Sequence, residues 1–331
     1  MNRIHSCLIG ICVGDALGLP YEFKIRDTYA LVTSMNGFGT HYKPPGTWSD
    51  DSSMNFCLVE SIIDGLTILD LKKKYCQWLF DGYWTYDNKP PFDIGETTYR
   101  VLTKLKTGKI KNQESGENDV NSNGNGSLMR VLPLVFYIKN WPIEERIALV
   151  NDVSGITHAH IRSKIACNIY IEFALHILTG KSITDSYESM KTNILLYYRG
   201  KKNNLLSTQS LIQTFKLKQE LKEFDYILKK DISNLSRAAI KSSGYVIDSL
   251  EATIWCLLST SSFEEAVLSA VNLGGDTDTI GSLVGGLAGI HYGHKSIPSV
   301  WINSLPRLKN IEELCMRYSN FIESYNNKRN N

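Results

Sequence analysis

The chain has 331 residues, 43% of them hydrophobic, and a formal net charge of +2. That is enough for one large core or two ordinary ones, and near-neutrality excludes the global field that would draw nucleic acid or an anionic membrane. Cys7, Cys12, Cys57, Cys76, Cys167, Cys256 and Cys315 are scattered, odd in number and without a CxxC pair, which argues for a reducing compartment and no structural disulfides.

In chain order, residues 4–19 read as a first helix, apolar at Ile4, Leu8, Ile11 and Cys12, with Gly10, Gly14, Ala16 and Gly18 interleaved. Pro20 stops it. The apolar run is short, broken by Gly and Asp, and lacks a cleavage context, so no signal segment is expected. Residues 27–47 are loop. SDDSS at 49–53 precedes a helical pattern in which Met54, Leu58 and Ile62 share one face. Residues 68–80 form another helix, ending near Asp81 and Gly82. The loop 82–98 carries Pro90-Pro91 and FDIGETT, and a helix follows over about 97–106.

Residues 108–127 are polar and read as loop. RVLPLVFYI resumes the core, with Pro133 tolerable in a first turn. Residues 143–151 and 161–179 are helices, the second strongly amphipathic. Residues 181–235 are rich in Lys, Asn, Gln, Leu and Ser, with an irregular helical pattern and no motif. From 244 dense helical pattern returns, and Ser262 with Glu265 has capping-box spacing. No strand alternation, repeat or linker stands out. The expected fold is one all-α domain over 1–331 whose long loops carry the function. The last apolar run is shorter than the roughly 20 residues a bilayer span needs. A soluble, cytoplasmic monomer without membrane or nucleic-acid partners is expected.

The stretch NLGGDTDTIGSLVGGLAGIHYG, 272–293, crowds Asp276, Asp278 and Thr279 on a turn made by Gly274 and Gly275. Glycine reaches positive φ and lets a ligand approach the backbone. Gly281, Gly285 and Gly289 then fall four apart on one helical face. Each costs roughly 1 kcal/mol relative to alanine, so another backbone must pack very close. A core helix with an acidic cap explains the stripe but not two aspartates and a threonine together. At the other cluster, Ser49, Asp50, Asp51 and Ser52 exceed the single residue that an N-cap requires. Four aspartates brought together would repel, and one or two divalent cations would compensate them. Carboxylate and hydroxyl oxygens suit Mg2+, Mn2+ or Ca2+, and no His/Cys set has zinc spacing.

Gly124, Asn125, Gly126 and Ser127 form a glycine-rich loop running toward a helix, suited to phosphate or simply a turn. His158, Glu22 and Asp93 carry no signal singly.

Together, GDALGLPYEF (14–23), WSDDSSM (48–54), FDIGETT (92–98), GNGSLMR (124–130), TH (157–158), SGYVIDSLEATIW (243–255) and the 272–293 stretch resemble the ADP-ribosylglycohydrolases. The type members are the dinitrogenase-reductase-activating glycohydrolase and the ADP-ribosylarginine hydrolases. The motifs keep the family's order and span nearly the whole chain, leaving about 181–235 as an atypical insertion.

The resemblance implies a binuclear Mg2+ or Mn2+ centre held by Ser49, Asp50, Asp51, Asp276, Asp278 and Thr279. It implies Gly124, Asn125, Gly126 and Ser127 around a diphosphate, His158 lining an ADP-ribose cleft, and Glu22 and Asp93 as catalytic carboxylates. The family usually has Thr where this chain has Ser49 and Ser52. Serine keeps the hydroxyl and loses the methyl that restrains its rotamer, so coordination is expected to survive. Glu96 stands where the bacterial branch often has Asn. Asp93 in a DIGxTT context points to the arginine-directed type, because the serine-directed branch relies more on the Glu22-type residue. The expected substrate is an ADP-ribosylated protein or ADP-ribose conjugate. The alternatives are a binding-only relative, or a hydrolase of serine-linked or small-molecule conjugates.

Overall fold

In the computed structural model, residues 3–109, 116–200 and 216–330 are described, and helices make up its regular structure. They are α1 (Arg3–Gly18), α2 (Asp50–Ile63), α3 (Ile68–Asp81), α4 (Glu96–Lys106), α5 (Leu134–Ile138), α6 (Ile143–Ser154), α7 (Ile161–Leu178), α8 (Ile183–Gly200), α9 (Asp225–Leu228), α10 (Val246–Leu258), α11 (Phe263–Val271), α12 (Thr277–Tyr292), α13 (Ser299–Asn303) and α14 (Leu308–Asn330). Among the described residues β pairing is limited to isolated bridges, Glu117 with His158 and Gly124 with Tyr245. The all-α expectation holds, and one contiguous apolar core runs from Ile4 to Ile322.

The glycine stripe finds its partner in α1. A Cβ on Gly285 would lie 2.1 Å from Gly10 O, one on Gly281 2.4 Å from Gly14 O, and one on Gly289 2.2 Å from Ser6 O. The relation is reciprocal, since a Cβ on Gly14 would lie 1.9 Å from Gly281 O. Two backbones therefore touch along about three turns, which only glycine permits at the crossing points. At the end of this seam Thr277 Oγ1 donates to Gly18 O at 2.8 Å, so α12 begins where α1 ends.

Ile4 through Gly18 are all buried. The window 3–21 has the length and hydropathy of a membrane span, but 94% of it is buried inside the protein. It is the helix against which α12, α14 and α2 pack. α2 is also buried all round, from Asp50 to Ile62, rather than on the single face that Met54, Leu58 and Ile62 suggest. Its acid Glu60 is tolerated there because Arg317 on α14 grips it bidentately at 2.9 and 2.8 Å.

The segment 181–235 is more regular than its composition suggests. α8 buries Ile183, Tyr187, Met190, Ile194 and Tyr198, a helical spacing obscured by the polar residues between them. Tyr187 Oη donates to Ile227 O at 2.6 Å, and Phe224, Ile227, Leu228 and Ile232 join the core. The parts of this segment at 201–215, and of the polar loop at 110–115, lie outside the described residues. The capping box forms with a shift: Glu265 N binds Ser262 Oγ at 3.1 Å, while the Glu265 carboxylate returns to Ser261 N at 2.9 Å.

Candidate active site

Gly274 and Gly275 have φ of 71° and 75°, the left-handed region that side chains resist. Neither has room for one: a Cβ on Gly274 would lie 2.6 Å from Arg26 N, and on Gly275 2.1 Å from Ser242 O. The tightness stitches the turn to the chain just after Glu22. Phe23 N donates to Gly275 O at 2.7 Å and Gly275 N to Lys24 O at 2.8 Å. Arg26 fastens the same junction, donating to Leu273 O at 2.6 Å and Ile240 O at 2.5 Å. Carboxylate oxygens of Glu22, Asp276 and Asp278 consequently lie within 4.8 Å of one another.

The second acidic turn is held by Asp15, a residue without a role in the sequence reading. It is fully buried on α1. Its carboxylate accepts from Ser49 N at 3.0 Å, Ser52 N at 3.0 Å and Ser52 Oγ at 2.6 Å. It thus satisfies donors at the start of α2 that would otherwise be orphaned. Asp15 and Gly18 sit one turn apart on α1, so a single helix sets the position of both acidic turns. The available signal was an aspartate inside an otherwise apolar helix.

The turns meet. Thr279 Oγ1 donates to Asp51 Oδ2 at 3.1 Å, and Asp51 Oδ1 is buried without a hydrogen-bond partner. Glu22, Asp50, Asp276, Asp278 and Thr279 face a cleft of about 410 Å³. Asp93, Gly124, Asn125, Gly126 and His158 line the same cleft. Ser49 and Asp51 lie just behind it, with Ser49 Oγ 3.3 Å from Asp51 Oδ2. Asn125 Nδ2 donates to Asp276 Oδ2 at 2.6 Å and to Ser249 Oγ at 2.8 Å, tying the glycine-rich loop to the acids. Within this loop the Ser127 hydroxyl is buried, accepts from Ser154 Oγ at 2.9 Å, and faces the core rather than the cleft. The loop turns through a 3-10 bend at Asn125–Ser127, which swings that side chain inward.

His41 was also missed, since a lone loop histidine gives no signal. Its Nε2 lies 2.5 Å from Glu22 Oε2, and Glu22, His41 and Asp93 can bring ligand atoms within 4.8 Å of one another.

Burial, reinforced by Asp93, Asp276, Asp50 and Asp51, pushes the Glu22 carboxyl up to about 11. Burial also raises Asp50, Asp51, Asp278 and Asp93, each with a neighbouring carboxylate adding to the effect. Asp15 is pushed up to about 7 by burial, opposed by its serine hydrogen bonds. Among the described residues, no Lys or Arg pairs with the cleft aspartates, and the basic side chain in contact with the cluster is His41, at Glu22. Buried like charges of this kind call for a compensating cation. The orphaned Asp51 Oδ1 and the oxygen-only donor set fit hard divalent ions.

Fold and cleft define an all-helical protein organised around carboxylates gathered beside a glycine-rich loop. The sequence profile described as ADP-ribosylglycohydrolase matches residues 1–330. An ADP-ribosylarginine hydrolase Tri1 of Serratia proteamaculans is 31% identical over 322 residues, covering 95% of this chain and 78% of that protein. An ADP-ribosyl-[dinitrogen reductase] glycohydrolase of Rhodospirillum rubrum is 26% identical, covering 92% and 90%, and the human ADP-ribosylhydrolase ARH3 is 24% identical, covering 92% and 89%. A solved structure titled ADP-ribosylglycohydrolase-related protein complex superposes with a TM-score of 0.73 at 27% identity, covering 97% of this chain and 98% of that one. The chain belongs to the ADP-ribosylglycohydrolase family.

Proposed function

We propose that this protein hydrolyses the bond between C1 of the distal ribose of ADP-ribose and an arginine side chain, using two divalent cations, Mg2+ or Mn2+. The observation that carries the reading is the meeting of the two acidic turns at one cleft, through Asp51 and Thr279. The arginine preference draws on similarity to the ADP-ribosylarginine hydrolases Tri1 of Serratia proteamaculans and of Pseudomonas putida, the latter 27% identical and covering 95% of this chain and 77% of that protein.

Asp50, Asp51, Asp276, Asp278, Thr279 and Ser49 would hold the cations. When bound, these supply positive charge that neutralises the acids, orients ribose hydroxyls and acidifies a water. The rest falls to the protein. Gly124 to Gly126 and His158 bind the diphosphate end and fix how deep the ribose enters. Glu22 and Asp93, whose carboxylate oxygens lie within 4.8 Å of each other, handle the protons of the step. One carboxylate takes a proton from the attacking water, and the other delivers a proton to the departing guanidine nitrogen as the C1–N bond breaks. His41 Nε2 anchors Glu22 Oε2 for this role.

The test is release of ADP-ribose from ADP-ribosyl-arginine protein with Mg2+ or Mn2+, run beside a serine-linked substrate. Release from the arginine substrate, abolished by chelation, is expected. Release from the serine-linked substrate alone would overturn the linkage, and tight ADP-ribose binding without turnover on any substrate would overturn the activity.

A further inference from the structure

Arg130 is fully buried, yet among the described residues no carboxylate pairs with it. Its guanidinium lies 4.7 Å from the centre of the Tyr75 ring, Nη1 reaches Met54 Sδ at 3.9 Å, and Nε has no partner. Burying an unpaired cation is costly, so its one strong hydrogen bond matters. Nη2 donates to Thr157 Oγ1 at 2.7 Å, and Thr157 Oγ1 lies 2.8 Å from His158 Nδ1. His158 lines the cleft.

Arginine can only donate, so Thr157 Oγ1 is already an acceptor. Its own hydrogen needs an acceptor, and among the described residues only His158 Nδ1 offers one. If Nδ1 carried the hydrogen instead, the buried threonine hydroxyl would be left without an acceptor, a penalised state. An imidazolium would set a second cation beside Arg130. The remaining hydrogen therefore sits on Nε2, beside the glycine-rich loop: a Cβ on Gly126 would lie 2.9 Å from His158 Cε1 and 3.4 Å from Nε2. The backbone is pinned too, with Glu117 N donating to Thr157 O at 2.9 Å and Ala159 N to Glu117 O at 2.8 Å.

We propose that Arg130 and Thr157 are positioning residues that lock His158 as the neutral Nε2–H tautomer, giving the cleft a permanent donor for a phosphoryl oxygen of the ligand. Its use by the diphosphate rests on ADP-ribose occupying the cleft; the tautomer itself does not. Burial and then Arg130 push His158 down to about 3. The other charged groups facing it are Glu117 and Arg100, which pair with each other at 2.5 Å. Removing the threonine hydroxyl should free the ring to take either tautomer.

The experiment is 15N NMR of the imidazoles in the full-length protein, with the His158 signals assigned by their absence in His158→Gln. Wild type should show an unprotonated Nδ1 and a protonated Nε2, unchanged from about pH 5 to about pH 8, well across the ordinary histidine range. Thr157→Val should lose this tautomer preference and weaken ADP-ribose binding by about twofold, the cost of a competent tautomer only about half populated, and Thr157→Ser should restore both. A protonated Nδ1 in the wild-type spectrum overturns the proposal without any variant. So does a Thr157→Val protein that keeps both the tautomer and the affinity. Absence of ADP-ribose binding in wild type would instead overturn the proposed function, while the tautomer spectrum still decides this inference.

Discussion

Thr279 Oγ1 and Asp51 Oδ2 meet at 3.1 Å although 228 residues separate them in the chain. The contact follows from α1, whose Asp15 caps α2 and whose Gly18 receives Thr277. An apolar helix studded with glycine thus sets the geometry of the acids.

Asp15 should matter to stability and to the site without touching ligand. Asp15→Ala leaves Ser49 N and the Ser52 donors buried without acceptors, and should cost about 2–4 kcal/mol. Asp15→Asn keeps one acceptor oxygen and should cost less. Urea unfolding gives the loss, and a titration with Mn2+ should show weaker binding in the folded Asn variant. Unchanged stability in Asp15→Ala would remove Asp15 from this role.

The helix seam tolerates no side chain. Gly285→Ala sets a methyl 2.1 Å from Gly10 O and should destabilise the protein by about 3 kcal/mol or more, through overpacking against rigid backbone. Gly95→Ser, where φ is −60° and no atom lies within 4 Å of an added Cβ, should change stability by about 0.5 kcal/mol or less. Equal melting temperatures for the two variants would contradict the packing.

The acids make stability depend on pH in an unusual direction when cations are chelated. Glu22 is pushed up to about 11 and Asp15 to about 7. Between the unfolded carboxyl value, about 4, and these folded values, the native state holds protons that the unfolded chain has released. Stability is therefore greatest below the unfolded value and falls as pH rises through the window. Melting temperature in EDTA should drop between about pH 5 and about pH 8, and Mg2+ or Mn2+ should flatten that drop. Identical slopes with and without cation would show that the carboxylates are not compensated by it.

α8 should behave as core. Met190 is fully buried, and Met190→Ala should cost about 2–4 kcal/mol. A loss under ~0.5 kcal/mol, the size of a surface effect, would make 183–200 peripheral decoration.

The helices were legible because α3, α4 and α12 announce themselves by period, caps and glycine spacing. The GDTDT and SDDSS clusters were legible as chemistry because a structural cap needs fewer oxygens. Three features were hidden for physical reasons. Asp15 acts through backbone amides of another helix, which no local pattern records. His41 reaches Glu22 from an irregular loop. Ser127 sits in the glycine-rich motif, but a 3-10 bend at Asn125–Ser127 turns its hydroxyl into the core. In α8 the apolar stripe of Ile183, Tyr187, Met190, Ile194 and Tyr198 is diluted by the polar residues between them.

The most direct measurement is calorimetric titration of the chelated protein with Mn2+, comparing wild type with Asp51→Asn and Asp278→Asn. One variant comes from each acidic turn, and far-ultraviolet circular dichroism verifies that both remain folded. If the two turns build one centre, wild type binds two ions and each substitution weakens the binding by tenfold or more, about 1.4 kcal/mol. Wild-type affinity and stoichiometry in either variant would contradict a shared centre.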